Sequence, residues 1–340
     1  MAAARTTVPD LSDQGVAKLP EPRGPVTEVL LGALAGEPGG FAAPAAEDDP
    51  LTGDDHHLAL YVCYELHYRG FAGVDERWEW EPAVLALRGR LERPFEAALR
   101  DRFGAEPPED AAAVIAALSR IADEPGPPLS RHVRDEATLA EVRDYVTLRS
   151  AYQLKEADPH AWAIPRLTGR AKAALLEVEF DEFGSGRPER IHAELYRETM
   201  GALDLDGRYG AYLDAVPGLM LATVNLMSLF GLHRRLRGAL AGHLAFAEMT
   251  SSLANKNVAD GLRRLGLGPA ATGFFDEHVL ADSVHDVIAL HDLVGGLLAQ
   301  EPALAPDVLF GATATSGLDA LSAQYLLDCW AEGRPTLRTV

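Results

Sequence analysis

EVEFDEFGSGRPERIHAEL, residues 177–195, carries a helical run into Gly-Ser-Gly and out again, with Glu182 before the break and His192 ten residues later. In one straight helix, residues that far apart lie about 280° out of phase, at roughly 100° per residue, and cannot reach the same point. An interrupted helix can swing both side chains inward. The reading of the chain turns on whether other helices carry acids and imidazoles toward that same point.

The flanking sequence is helical throughout. DDHHLALYVCYELHYRGF (54–71) starts on Asp and stops near Gly, as helices do. WEWEPAVLALRGRLERPFEAALRDRFG (78–104), PEDAAAVIAALSRIA (108–122), DEATLAEVRDYVTLRSAYQLKEA (135–157) and PHAWAIPRLTGRAKAALLEVEFDEFG (159–184) continue the pattern. Longer helices are expected over about 216–234, 236–265, 270–299 and 316–333. Strand alternation is missing, and no repeat of about 30–50 residues stands out. The pattern predicts an all-α bundle of about nine helices. Residues 1–50, rich in Ala, Pro, Gly and acids with one apolar patch, VTEVLLGALAG, are expected as a partly ordered arm, and residues 51–340 as one helical domain.

Composition narrows the function. An apolar content of 47% supplies a core across 340 residues, which excludes wholesale disorder. A formal charge of −20 argues against nucleic acid or an anionic membrane as partner. No run of about 18 apolar residues and no hydrophobic signal core occur, so a cytoplasmic location is expected. The expected partner is a small-molecule substrate, and a homodimer is left open. The two cysteines, Cys63 and Cys329, form no Cys-x-x-Cys pair and read as buried thiols.

Familiar phosphate-loop, dinucleotide and nucleophile-elbow motifs are missing. DDHHL (54–58) is like the aspartate-rich motif of helical terpene cyclases, but no second magnesium motif accompanies it, and Asp is favoured at helix starts. Other positions carry more information. Between Arg237 and Lys256 the only formally charged residue is Glu248, and a lone carboxylate on so apolar a helix must reach solvent, protonate, pair or bind metal. Glu156 closes a helix whose last turns are mostly uncharged on the same side. FFDEHVLADSVHD (274–286) places His278, Asp282 and His285 within about 60° on one helical face.

The candidate set is therefore Glu156, Glu182, His192, Glu248, His278, Asp282 and His285. Its four carboxylates carry −4, which two Fe(II) ions neutralise. Oxygen and nitrogen donors without thiolate suit iron or manganese better than a structural zinc. Ferritin-like bundles use Glu-x-x-His pairs; DSVH, Asp282 to His285, reproduces one such i, i+3 pair, but Glu182 and His192 are ten apart rather than three.

That departure, with AYQLKEADPHAWAIPRL (151–167), EFDEFGSGRPERIHAELY (179–196), GHLAFAEMTSSLANK (242–256) and GFFDEHVLADSVH (273–285), resembles the haem-oxygenase-like di-iron oxidases and oxygenases, also described as iron-containing redox enzymes. The resemblance implies a haem-oxygenase-like multi-helix fold, two Fe(II) ions and O2 as co-substrate. It places Glu156, Glu182 and His192 on one iron and Glu248, Asp282 and His285 on the other, with Glu182 or Glu248 bridging. His278 matches a histidine that only some relatives carry. The implied activity is oxidation of a small organic substrate by amine N-oxygenation, desaturation or oxidative C–C cleavage, in specialised-metabolite biosynthesis. The alternatives are a non-catalytic helical interaction protein and a haem-binding protein of the same fold, the latter opposed by the crowd of acids. Trp162, Tyr196 and Phe246 are expected to line a pocket or belong to the core. His56, His57, His67, His160, His243 and His291 read as surface or core residues.

Overall fold

The computed structural model describes residues 15–104 and 110–339, apart from the side chains of Ala111, Asp282 and Ser283. Among the described residues there is no strand, only an isolated bridge between Ala17 and Phe71. The helices are α1 (Pro25–Leu34), α2 (Asp54–Glu65), α3 (Pro82–Phe103), α4 (Ala111–Asp123), α5 (Leu129–Asp135), α6 (Leu139–Gln153), α7 (Asp158–Ala161), α8 (Gly169–Glu182), α9 (His192–Ala202), α10 (Gly218–Leu232), α11 (Arg237–Arg264), α12 (Pro269–Val287), α13 (Gly295–Gln300) and α14 (Ala305–Glu332). No described helix is long and apolar enough to cross a membrane.

Local chemistry explains many of the boundaries. Thr138 and Glu141 cap α6 reciprocally: the Glu141 amide donates to Thr138 Oγ1 at 3.3 Å, and the Thr138 amide donates to Glu141 Oε2 at 2.7 Å. Asp110 accepts from the Ala113 amide at 2.8 Å and starts α4. Gly333 ends α14 in the left-handed region, at φ 64°. The DDHHL acids are used structurally. Asp55 caps α1, accepting from the Val26 and Thr27 amides at 2.9 Å each. Asp54 accepts from the Gly218 amide at 2.6 Å and from Arg338 at 2.8 Å. His56 and His57 are buried.

Packing centres on α11, which lies along α14, α12 and α5, while α10 lies against α2 and α14. Gly242 of α11 and Gly311 of α14 let these two helices approach: a β-carbon on Gly242 would stand 1.8 Å from the Val308 carbonyl oxygen. Three expectations are corrected here. The last helix begins at Ala305 rather than near 316, because its small residues ATATSG pack against a neighbouring helix instead of forming a loop. The expected single helix over 270–299 is interrupted by a π-helical segment, Ile288–Val294. Residues 15–50 do not form an arm apart from the domain: Leu30 and Leu34 are fully buried, and Ala17 accepts from the Ala72 amide at 2.8 Å. The apolar patch VTEVLLGALAG is itself part of the core. Residues 1–14 lie outside the described residues.

One buried ion pair ties the N-terminal half to the α6 end. Lys155 donates to Glu65 Oε2 at 2.8 Å with both side chains inaccessible, Tyr209 donates to the same oxygen at 2.8 Å, and the ammonium sits 4.4 Å from the Tyr61 ring. Lys155 precedes Glu156, so the pair fixes the backbone that presents Glu156. Lys155→Met should leave Glu65 buried and uncompensated, lowering stability by about 3–5 kcal/mol. Urea unfolding measures this; the double change with Glu65→Gln should recover part of the loss, and an unchanged midpoint in Lys155→Met would contradict the anchoring role.

Candidate metal centre

Five structural elements aim donors at one interior point. Glu156 lies just past the end of α6, Glu182 is the last residue of α8, His192 the first of α9, Glu248 sits mid-α11, and His278 and His285 lie on α12. The Gly-Ser-Gly break makes the Glu182–His192 juxtaposition. Gly184, Ser185 and Gly186 all adopt positive φ, at 75°, 53° and 78°. A β-carbon on Gly184 would meet the Ile191 amide nitrogen at 2.6 Å, so the chain reverses tightly before His192. The helix interruption expected from sequence is thus the device that brings residues ten apart together.

Two donor groups result. Glu156, Glu182, His192 and His278 each offer a ligand atom, all within 4.8 Å of one another, and Glu182, Glu248 and His285 form a second such group. Glu182 belongs to both. Asp282 lies between His278 and His285 in sequence, and its side chain is outside the described residues. His278, marked by the resemblance as a histidine of only some relatives, is brought into the first group, with Nε2 3.5 Å from Glu156 Oε2. Metal bonds to oxygen and nitrogen near 2.0–2.3 Å fit inside such groups.

The donors match a cation chemically. Glu182 Oε2 and His192 Nδ1 stand 2.8 Å apart, yet neither atom has the geometry of a hydrogen bond. A carboxylate oxygen and an imidazole nitrogen brought this close in a buried site are answered by positive charge, from a cation held by both or from a proton on the imidazole. The second ring nitrogens are committed elsewhere. His278 Nδ1 meets the Phe274 carbonyl oxygen at 2.8 Å, leaving Nε2 facing Glu156. His285 Nε2 meets Asp181 Oδ2 at 3.1 Å, leaving Nδ1 facing Glu248 at 3.5 Å. Such partners fix the tautomer and ring angle of a metal-binding imidazole.

Electrostatics point the same way. Burial would raise the Glu182 carboxyl, but His192, with His278 and His285 behind it, holds it down to about 2. Burial opposes charge on His285, yet Glu248 and Asp181 outweigh it and raise the imidazole to about 9. Without metal, protonated imidazole takes over part of the cation's role. Behind the donors lies a less polarised layer. Burial, reinforced by Glu182, pushes the Glu179 carboxyl well above its usual range, and burial lowers His160 to about 4. His160 stacks on His243 at 5.2 Å between ring centroids.

The C-terminal half of α12, beyond the buried Phe274 and Phe275, turns its usual pattern inside out. His278 and His285 are buried, whereas Leu280, Val284 and Val287 are more than half exposed. A surface helix ordinarily does the opposite. Of the three aromatics considered, Phe246 lines a cavity of about 630 Å³ that reaches Glu156 and His278. Tyr196 is core, its hydroxyl donating to the Val146 carbonyl at 2.8 Å, and Trp162 packs edge-on to Tyr68. Sequence reading missed Tyr152, which donates to Glu156 Oε1 at 2.9 Å, and Asp181. The signals were present: Tyr152 stands one turn before Glu156, and Asp181 is next to Glu182.

Residues 143–320 match the family described as "Iron-containing redox enzyme". Among solved structures, the chain is similar to a CADD-like protein of unknown function from Nostoc punctiforme PCC 73102, with 12% identity, TM-score 0.52, and coverage of 66% of this chain and 97% of that one. It is also similar to a domain of unknown function with a heme oxygenase-like fold from Shewanella denitrificans OS217, with 16% identity, TM-score 0.48, and coverage of 67% and 95%. The first likeness shows the fold alone. No curated protein matches the sequence.

A pH test follows from His285. An imidazole raised from 6.5 to about 9 in the fold contributes stability that is complete below about pH 6.5 and lost as pH rises through 9. The metal-stripped protein should therefore lose Tm between about pH 6.5 and 9, and His285→Gln should shrink that loss. An equal slope in both proteins would contradict the assignment.

Proposed function

Because the chain belongs to the iron-containing redox enzyme family, we propose that it is an O2-dependent non-haem di-iron oxidoreductase acting on a small organic substrate. Glu182 carries the reading. It is shared by two adjacent donor groups, as a carboxylate bridging two ions would be. The proposed ligands are Glu156, Glu182, His192 and His278 for one Fe(II), and Glu182, Glu248, His285 and Asp282 for the other. Their four carboxylates balance two Fe(II) in charge.

Bound there, iron would supply the redox chemistry by which O2 oxidises the substrate. The rest belongs to the chain. Tyr152 donates to Glu156 and holds its carboxylate in one orientation. The Phe274 carbonyl and Asp181 orient His278 and His285. Leu244 and Ala247 supply an apolar wall to the small space among the donors, which limits water there. The larger cavity meets this space at Tyr152, Glu156, Ala247, Ser251 and His278, and gives the substrate its approach. N-oxygenation, desaturation and oxidative C–C cleavage remain the outcomes implied by the resemblance, with a place in specialised-metabolite biosynthesis.

Anaerobic Fe(II) titration of the metal-stripped protein should saturate near two irons per chain, by the charge count and donor number above. Glu182→Ala should lose tight binding at both sites, while Glu156→Ala and His278→Ala should each impair one. Circular dichroism should stay helical, since losing one ligand also relieves buried charge. Two irons bound by Glu182→Ala would refute the shared carboxylate. A Soret band on adding haem, with no iron uptake, would favour a haem-binding protein instead.

A further inference from the structure

Two neighbouring helices show water the apolar stripe that a surface helix ordinarily turns inward. Leu176, Phe180 and Phe183, along α8 and at its end, and Leu280, Val284 and Val287, along α12, are 39% to 71% exposed. The spacing is i, i+4, i+7 in both sets, so each set forms one stripe. Asp181 follows Phe180, His285 follows Val284, and these two polar neighbours meet at 3.1 Å. Further along, Arg170 pairs with Asp292, and Gly296 packs on Arg170 and Ala171. α8 therefore runs antiparallel to α12 and its continuation, and the stripes lie side by side. Neither stripe belongs to the cavity of about 630 Å³.

At about 150–200 Å² for a side chain of this size, the six exposed fractions amount to roughly 500–600 Å² of apolar surface. That is the top of the range for the largest apolar patch on a monomer, about 300–600 Å². A dimer of standard size buries about 800 Å² on each partner, roughly 65% of it apolar in homodimers, so the stripes supply the apolar share by themselves. The chain outside the described residues is too poor in apolar side chains to match them. Residues 1–14 hold only Met1, Val8 and Leu11 as large apolar residues, and AEPPE (105–109) holds none. A second copy matches by symmetry: a two-fold axis through the middle of two antiparallel stripes lays apolar residues of one copy on those of the other. Charge favours the same place. With −20 on each chain, two copies repel over most of their surface, whereas VLADSVHDV (279–287) carries only Asp282 and Asp286 as formal charges.

We propose that the paired stripes of α8 and α12 are the interface of a two-fold symmetric homodimer, each copy closing the apolar face of the other. The interface then covers the outer wall of the metal centre. Asp181, whose carboxylate meets His285 Nε2, has a side chain 44% exposed beside the stripes and loses water on association. The proposal goes beyond the di-iron reading and does not rest on it.

Sedimentation velocity of the full-length protein, as purified, reads the association over about 1–100 µM. A species of twice the chain mass should form, and it should tighten as NaCl rises, because salt screens the repulsion between acidic copies. Phe180→Glu and Val287→Glu put charge inside the face and should each weaken the dimer by about a hundredfold or more. Their circular dichroism should match the wild type, since both residues are exposed in the single chain. Val16→Glu, at an exposed apolar residue outside the stripes, should leave the dimer unchanged. Hydroxyl-radical footprinting should show Phe180, Phe183 and Leu280 protected at the high concentration and open at the low one. The proposal fails if the chain stays monomeric at about 100 µM, if either face variant dimerises like the wild type, or if the protection falls elsewhere. A monomer that floats with phosphatidylcholine vesicles would assign the face to lipid instead. Iron content is measured on the same samples, and a monomer holding two irons would leave the di-iron reading standing.

Discussion

Buried carboxylates at close quarters repel one another and cannot be left in a low-dielectric interior without positive charge beside them. That constraint organises this protein. Glu182 sits where the two donor groups overlap, with imidazoles from α9 and α12 around it. Each element that presents a donor is held by bonds outside the group. The Lys155–Glu65–Tyr209 cluster fixes the backbone at Glu156, the tight Gly-Ser-Gly reversal fixes His192, and apolar α11 holds Glu248. The core supplies the net stability that lets these polar groups stay inside.

The neighbouring layer of Glu179, His160 and His243 obeys the same constraint by another route. There burial is answered by neutrality rather than by charge: Glu179 is driven toward its protonated form and His160 toward its neutral form. Polarity inside the bundle is thus graded. Glu182 and His285 are held as ions, and Glu179 and His160, one layer out, are held uncharged. Such a gradient keeps the field of the centre from being cancelled by its own surroundings.

Much of this was legible in the sequence because charge on an apolar helix is conspicuous. Glu248 stood alone across a long uncharged run, and His278 and His285 shared a face in a segment whose other acids pointed elsewhere. The Glu182–His192 spacing became meaningful only with the Gly-Ser-Gly break, which a straight helix would have made nonsense. What stayed hidden depends on three-dimensional neighbours. Nothing local says that ATATSG is helical, since its small residues are chosen for a close helix crossing rather than for propensity. Arg149 carries no signal in the sequence, because its seat between the Tyr145 and Tyr152 rings exists only in the fold. Asp181 went unread because its partner, His285, comes from a distant helix.

The π-helical segment Ile288–Val294 follows His285 within three residues and leads into α13, where Gly296 packs against Arg170 and Ala171 of α8. Its wider turns place the histidine face of α12 and the packing face of α13 in registers that a uniform α-helix of the same length would not reproduce. Removing one residue there would restore regular winding and rotate one end about 100° against the other. Either the imidazoles would leave the interior or α13 would lose its seat on α8. The chain length between His285 and Gly296 is thereby tied to two packing registers at once: an insertion or deletion there shifts one against the other, whereas a side-chain replacement leaves both in place.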